Sequence, residues 1–229
     1  MATYGKQIEA LSKIGKVITS SVYSDEILNF IVNITAEVMD SKICSILLIN
    51  EENELVIRAV KSMSEAYIKK KPIKIGEGIA GRVAKENKPI FIPDVKKEPN
   101  YMNSLIATKE NLCSLLSVPL SVKGRVIGVL NCYTEKERKF GQEEITLLST
   151  IANQAAVVIE NAQLMLQTHR IQEELEIRKI IERAKGILMK VQNLSEEEAF
   201  KRIQRKSMDL RKPMKEIAEA IILTSEISK

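Results

Sequence analysis

Hydrophobic residues recur at helical spacing and at strand spacing in turn along the first 140 residues. Apolar positions three or four apart predict helices in the stretches IEALSKIGKVI and EILNFIVNITAEVM. A two-residue turn is predicted at Lys123-Gly124, another turn at 51–53 and a short helix near 78–86. This order predicts an α+β fold over residues 1–140, with flanking helices on an antiparallel sheet. The predicted strands are rich in Val, Ile and Leu: KICSILLIN, ELVIRAV, PIFIPDV, LLSVPLSV and RVIGVLNCYT.

A long helix is predicted after residue 141, because neither Pro nor Gly occurs between residues 142 and 185. Apolar or small residues recur there at strict three- and four-residue spacing, which is typical of a coiled-coil seam. We predict a coiled-coil linker over residues 141–170 and a parallel homodimer. Alternatively, the alanine-rich first half packs on the domain's own sheet, and residues 156–175 pair with a second chain. The seam positions are Ile145, Leu148, Ala152, Ala155, Ile159, Ala162 and Leu166.

Residues 171–229 predict three amphipathic helices that pack as a small bundle. The first helix continues the long helix to about residue 191. The second begins at Ser195, because Glu198 three residues later completes a capping box. The third begins at Pro213, a favourable first-turn residue. Its apolar side chains share one face: Met214, Ile217, Ala218, Ile221 and Ile222.

Positive charge is concentrated in this C-terminal region. The whole chain has a net charge of +5. Residues 178–215 alone contain twelve Lys and Arg against five Asp and Glu, so the rest of the chain is slightly acidic. A local cationic patch on a nearly neutral chain favours a polyanionic partner. A merely solvated helix surface is the alternative.

Gly186 stands in the middle of a predicted helix, where glycine costs about 1 kcal/mol relative to alanine. Either a neighbouring helix packs closely on it, or a ligand approaches the backbone there. On a helical wheel, Gly186 lies with Lys179, Arg183 and Lys190 in one stripe beside the apolar face. Three cations around a position without a side chain would let a phosphate strand lie close to the helix. The stripe therefore predicts a phosphate-binding surface.

The segments AKGILM, SEEEAF, KSM and MKEIAEAI resemble the ANTAR domain, the RNA-binding module of bacterial transcription antiterminators. This resemblance covers residues 170–227. It implies binding to hairpins with short terminal loops in messenger leaders, which prevents a terminator from forming. The family usually has an arginine after the residue equivalent to Ile203, where this chain has Gln204 and then Arg205. Because Phe200 is the only aromatic residue of the region, aromatic base stacking is not expected.

The candidate RNA-binding residues lie on the first two helices of this region. Arg202 and Arg205 share a face of the second helix. Lys185 lies on the other edge of the first helix, and it either contacts RNA from that side or caps a packing interaction. The full set is Lys179, Arg183, Lys185, Gly186, Lys190, Arg202, Arg205 and Lys206.

The stretches IKIGEGIAGRVAKENKPIFIPDV and LCSLLSVPLSVKGRVIGVLNCYT resemble a GAF domain, a small-molecule sensing or dimerising module, over residues 5–168. The resemblance implies a sensor with a small-molecule ligand, and it identifies neither that ligand nor a cofactor. We predict turn and helix-start roles for the glycines of the first stretch, because no G-K-[ST] motif follows them. A pocket would be lined by the helix near 78–86, the Asp94 loop and a lid at 97–112.

The remaining sequence features argue against catalysis, metal binding and membrane insertion. Three cysteines stand far apart without a C-x-x-C motif, which predicts buried thiols in a reducing cytoplasm. One histidine and no recognisable catalytic motif predict a protein that is not an enzyme. No apolar run reaches about 18 residues, and the N-terminus lacks the order of a secretory signal.

We therefore predict a cytoplasmic, homodimeric regulator of transcription antitermination. Its GAF-like domain over residues 1–140 would control an ANTAR-like domain over residues 171–229. One alternative is a DNA-binding regulator with the last two helices as a helix-turn-helix. Another is a protein-interaction module whose basic face binds an acidic partner.

Overall fold

The computed structural model describes residues 24–61, 67, 71–99, 101 and 104–227. The helix predicted in IEALSKIGKVI, at residues 8–18, lies outside this part of the chain. The chain divides into two compact units, with the boundary between Gln163 and Leu164. The domain boundaries predicted at residues 140 and 170 stay predictions.

The first unit is built on an antiparallel sheet, which among the described residues has six strands in the order β3-β2-β1-β6-β5-β4. The predicted turn at Lys123 and Gly124 joins β5 to β6, and both residues have positive φ angles, of 50° and 82°. Such angles are typical of the tight turns that match strand twist. The strands are β1 (Ile43–Ile49), β2 (Glu54–Lys61), β3 (Ile73–Lys74), β4 (Ile90–Ile92), β5 (Leu115–Val122) and β6 (Arg125–Tyr133).

Helices cover both faces of this sheet. The helices α1 (Ser24–Val38), α2 (Gly78–Glu86) and α3 (Ser104–Lys109) belong to the first unit, and α4 (Gln142–Gln192) begins in it. Alternate residues of β1 point to opposite faces, as the pleat of a strand requires. Cys44, Ile46 and Leu48 pack with α1 and α4, whereas Leu47 packs with α2. The predicted α+β fold is therefore confirmed.

The long helix is confirmed as α4, but the predicted seam is wrong in its first half. Leu148, Ala152 and Ala155 are fully buried, and Ile159 is nearly so. These residues belong to the core that α4 forms with α1 and the sheet. Small alanine side chains let the helix approach the sheet closely, so this half of the helix packs on its own unit, as in the alternative that the sequence left open.

Leu166 of the predicted seam is 50% exposed, so the second half of that seam stays a prediction. Further apolar residues on α4 also face solvent in the described chain. Val157, Leu164, Ile171 and Leu175 are between 40% and 57% exposed. Asn161 and Thr168 fall between them, so the six positions alternate in steps of four and three residues. This spacing is that of a heptad seam.

The second unit contains the end of α4 together with α5 (Glu196–Leu210) and α6 (Met214–Ile227). Its core consists of small and branched side chains from all three helices, which confirms the predicted bundle. The capping box at Ser195 is also confirmed, because Ser195 Oγ accepts from the Glu198 N–H and the Glu198 carboxylate accepts from the Ser195 N–H. The fully packed core residues are Ala184, Leu188, Ala199, Ile203, Ile217 and Ala218.

Candidate nucleic-acid interface

Gly186 lies inside α4 with open space beside it. Apart from the two neighbouring residues and the nearby backbone of α4 itself, a Cβ atom built at this position would meet no described atom within 4 Å. Close packing of a neighbouring helix therefore does not explain the glycine. Of the two explanations that the sequence allows, the geometry favours the approach of a ligand to the helix backbone.

Two cations of the stripe around Gly186 already have carboxylate partners. Lys179 Nζ lies 2.7 Å from Glu176 Oε1 on the same helix, and Arg183 Nη2 lies 2.6 Å from Glu226 Oε1 on α6. The side chains of both pairs are more than half exposed. Exposed ion pairs contribute only about 0–1 kcal/mol, so an incoming phosphate can replace these carboxylates.

Lys185 has a different environment, since only 7% of its surface is exposed. Its Nζ donates to both carboxylate oxygens of Glu182 at 3.0 Å and to Glu196 Oε1 at 2.7 Å. These contacts raise the pKa of Lys185, with Glu196 as the larger cause, and lower the pKa of Glu196. Because Glu196 is the first residue of α5, this contact stabilises the packing of α5 against α4. The structure supports the packing role that the sequence left open for Lys185.

Other cations of the second unit have no carboxylate partner among the described residues: Lys190, Arg202, Arg205 and Lys206. Two nearby lysines do have carboxylate partners. Lys201 on α5 pairs with Glu197, and Lys212, which follows α5, pairs with Glu216. All four are predicted RNA-binding positions, although Arg170, Arg178 and Arg211, which are not, also have no carboxylate partner among the described residues. These side chains are free to bind an anion without breaking an internal contact.

Arg202 and Lys206 stand at the wall of an apolar groove between the end of α4, α5 and α6. The groove has a volume of about 620 Å³. Sequence reasoning missed it, because a groove depends on how three helices cross. The exposed apolar residues Val191 and Leu210 were a signal for it. Further lining residues are Ile187, Leu188, Gln192, Ile217, Ala220, Ile221, Thr224 and Ser225.

The first unit contains a small cavity between the sheet and α2. Its volume is about 30 Å³, enough for one or two water molecules. Three tyrosines line it, and Tyr67 Oη lies 3.0 Å from Ser45 Oγ, while Tyr101 Oη donates to Tyr133 Oη at 3.4 Å. Burial raises the pKa of all three phenols. These groups are therefore neutral hydrogen-bonding groups near pH 7.

The predicted sensor pocket agrees with this cavity only in part. Gly78, Ile79 and Ala80 of α2 line it, as predicted for the helix near 78–86, and so does Tyr101 from the predicted lid. Asp94 does not line it. Its carboxylate instead accepts from the Lys96 N–H and pairs with Lys97. Residues 100, 102 and 103 of the predicted lid lie outside the described residues.

Family comparisons now distinguish the two units. The GAF domain family matches residues 24–160, and the ANTAR domain family matches residues 169–222. The chain belongs to the GAF domain family and carries an ANTAR domain. Each match falls within one of the compact units, so both resemblances inferred from the sequence are confirmed.

Curated relatives match the two domains separately or in part. The Nif-specific regulatory protein of Azospirillum brasilense is 25% identical over 189 residues, which are 76% of this chain and 30% of that protein. The transcriptional regulatory protein PdtaR of Mycobacterium tuberculosis is 48% identical over 54 residues, which are 24% of this chain and 26% of that protein. The chain therefore covers less than a third of either relative.

Solved structures match the GAF domain. The GAF domain of a phosphoenolpyruvate-protein phosphotransferase from Coxiella burnetii superposes with a TM-score of 0.63 at 22% identity, over 70% of this chain and 96% of that one. A free methionine-R-sulfoxide reductase from Neisseria meningitidis superposes at 0.59 and 21% identity, over 69% and 91%. GAF and ANTAR domains are regulatory modules, although this last neighbour is an enzyme.

The described residues contain neither a metal-binding cluster nor a membrane-spanning helix. No group of three or more His, Cys, Asp or Glu side chains is arranged to hold a metal ion. None of the described helices combines the length and the apolar character that a membrane crossing requires. Cys44, Cys113 and Cys132 are free thiols in buried positions, as predicted.

Proposed function

We propose that this chain is a cytoplasmic regulator of transcription antitermination whose ANTAR domain binds hairpin RNA in messenger leaders under the control of its GAF domain. The observation that carries the proposal is the open backbone at Gly186 within a cationic stripe. Gly186 destabilises the helix interior, and no neighbouring helix of the described chain packs against it to offset that cost. A strand of phosphates lying against the helix would explain why no side chain is present.

The distribution of ion pairs supports the same function. Lys190, Arg202, Arg205 and Lys206 have no internal carboxylate partner among the described residues. Phosphate contacts supply most of the affinity for nucleic acid, and base contacts supply sequence specificity. Arginine can serve both needs, because its planar guanidinium donates several hydrogen bonds and stacks on bases.

Dimerisation through the exposed seam of α4 is part of this proposal. With Asn161, Thr168 and Leu175 at heptad position a, the residues Val157, Leu164 and Ile171 occupy position d. A polar Asn at one a position favours a defined register and a two-stranded coil.

A binding assay with three nucleic acids tests the proposed function. The probes are hairpin RNA with a short loop, duplex DNA, and unstructured RNA of equal charge. We expect the hairpin RNA to bind most tightly, and Arg183→Ala and Arg202→Ala to weaken its binding with unchanged circular dichroism. Preference for duplex DNA would instead favour the helix-turn-helix alternative. If all three probes bind with equal affinity and steep salt dependence, the surface binds nucleic acid only through its general positive charge.

The sensor role requires its own measurement. The cavity near the tyrosines accommodates only a water-sized molecule, so a larger ligand must displace side chains around it. Native mass spectrometry of the protein from its own host would show a bound small molecule as added mass. Hairpin affinity measured with and without that molecule would then show the direction of control.

A further inference from the structure

We propose that an unstacked base from the hairpin loop enters the apolar groove between α4, α5 and α6, while Arg202 and Lys206 bind the phosphates beside it. This inference rests on the proposed RNA-binding function and assigns the groove a role within it. The groove lies wholly within the second unit. Its occupant is identified by the chemistry of the groove wall.

The volume and the lining of the groove suit a small organic group with apolar faces. Its volume of about 620 Å³ falls within the range of sites that hold small organic molecules. Aliphatic side chains from three helices form most of its lining, including Ile187, Val191 and Ile221. A base has two apolar ring faces, so aliphatic walls can cover them although the groove lining contains no aromatic side chain.

The charged side chains of the wall select an anionic occupant. Arg202 and Lys206 are four residues apart on α5 and therefore lie on the same helix face. Neither has a carboxylate partner among the described residues, although both belong to the groove lining. An uncharged helix in the groove would cover these cations without pairing them, at a cost in desolvation. A nucleotide pairs them, because every base is attached to a phosphate backbone.

Polar groups at the same site can read the edge of a base. Gln192, the last residue of α4, and Ser225 of α6 are both in the groove lining. A glutamine amide offers two donor hydrogens and an acceptor oxygen, and a hydroxyl offers both kinds of group. The groove therefore combines apolar walls, two cations and two side chains that can form hydrogen bonds. That combination matches a single nucleotide turned out of the loop.

The test is selection from a hairpin library with a fixed stem and a randomised loop. We expect the wild-type protein to enrich particular bases at one or more loop positions. The double variant Ala220→Leu/Ser225→Leu narrows the groove without changing charge. It should lose that enrichment and bind the selected hairpin about tenfold more weakly. Leu223→Phe adds bulk on α6 outside the groove lining and should behave as wild type.

An abasic nucleotide at the enriched position gives an independent readout. It removes the base and keeps the phosphate, so it should weaken binding to the wild type by the same factor. It should have no further effect on the narrowed variant, because two changes to one contact do not add. Circular dichroism checks that the variant is folded, and the smaller change Ala220→Met replaces it if it is not.

Each remaining outcome separates this inference from the proposed function. If the narrowed variant keeps its loop preference and affinity while Arg202→Ala loses affinity, the domain binds RNA and base insertion is wrong. If the wild type enriches no loop base and binds unstructured RNA equally well, RNA-hairpin recognition itself fails. An acidic peptide that binds the groove more tightly than the selected hairpin would assign the groove to a protein partner and overturn the inference.

Discussion

Gly186 is a residue at which folding stability and RNA binding should respond in opposite directions. Alanine at this position removes a helix-interior glycine, and its methyl group meets open space. We therefore expect Gly186→Ala to raise the free energy of unfolding by about 1 kcal/mol. The same methyl group would stand between the backbone and an approaching phosphate, so hairpin affinity should fall. Thermal unfolding and hairpin titration of one variant measure both effects.

Lys190→Ala is the matched comparison for this prediction, because Lys190 belongs to the same stripe one helical turn further along α4. It removes a cation and leaves the backbone path open, so it should weaken hairpin binding and also lower the salt dependence of binding. Gly186→Ala keeps every charge, so its salt dependence should match the wild type. A Gly186→Ala variant that is more stable and binds the hairpin normally would contradict the backbone contact.

A second prediction at the scale of single residues concerns Glu226, because its carboxylate forms an ion pair with Arg183 when RNA is absent. The Arg183–Glu226 pair is exposed, with Arg183 Nη2 at 2.6 Å from Glu226 Oε1, so this carboxylate competes with a phosphate for the guanidinium. We expect Glu226→Gln to strengthen hairpin binding by up to about fivefold, which is the most that an exposed pair contributes. Hairpin titration at fixed salt measures the change.

Glu219→Gln is the matched control for this prediction. It removes the same charge from the same helix, but Glu219 pairs with Lys215, also on α6. A general gain from lower negative charge would appear in both variants. A gain confined to Glu226→Gln would identify competition at Arg183. Equal affinities for wild type and Glu226→Gln would show that Glu226 does not compete with RNA for Arg183.

Helical spacing explains how much of this site could be predicted from the sequence. Lys179, Arg183, Gly186 and Lys190 share a stripe because α4 is one continuous helix, and spacing along one helix is a local property. The partners from other helices were beyond such reasoning. Glu226 is 43 residues from Arg183 along the chain, and its position depends on how α6 packs.

Lys185 acts at the scale of the element, since it joins α4 to the start of α5. We expect Lys185→Met to lower the stability of the bundle and to weaken hairpin binding, because α5 carries Arg202 and Lys206. The slope of log affinity against log salt should not change, because we assign Lys185 to the contact between α4 and α5 and not to a phosphate. Each lost phosphate contact lowers that slope by about 0.7–0.9. A slope reduced in Lys185→Met, as for Arg202→Ala, would make Lys185 an RNA contact instead.

The contact of Lys185 with Glu196 should also depend on pH. The pKa of Glu196 is lowered in the folded chain, so its contribution to stability is present above its ordinary pKa of about 4.5. That contribution is lost as pH falls through the lowered value. The difference in unfolding temperature between wild type and Lys185→Met should therefore be largest near neutral pH and shrink in acid. A difference that does not shrink as the pH falls well below the ordinary pKa of a glutamate would contradict the contact.

The seam of α4 shows why an apolar repeat alone does not identify its partner. Leu148, Ala152 and Ala155 have coiled-coil spacing, yet they pack on the sheet of their own unit. Both kinds of partner require the same repeat, so spacing cannot separate them. Residue size was the available signal, because alanine permits close packing on a sheet whereas exposed Leu164 and Ile171 suit a second helix.

At the scale of the whole molecule, the seam would link two RNA-binding domains and so favour RNA with two hairpins. Binding of the second hairpin is then intramolecular, and such linkage strengthens binding by about 10²–10⁴-fold without new contacts. Leu164→Glu/Ile171→Glu places like charges in the proposed seam. We expect this variant to be a monomer in sedimentation, to bind one hairpin as the wild type does, and to lose the gain for two hairpins.

The control for this prediction is Gln163→Glu/Leu166→Glu, which adds the same charge to α4 outside the proposed seam. It also separates the two seam assignments, because Leu166 belongs to the set first predicted from the sequence. Preserved dimers in this control, with monomers in the first variant, would assign the interface to Leu164 and Ile171. Monomers in the control alone would restore the original assignment. If a monomeric variant still binds RNA with two hairpins as tightly as the wild type, the linkage of two RNA-binding domains is not the source of the higher affinity. Dimerisation would then have another role.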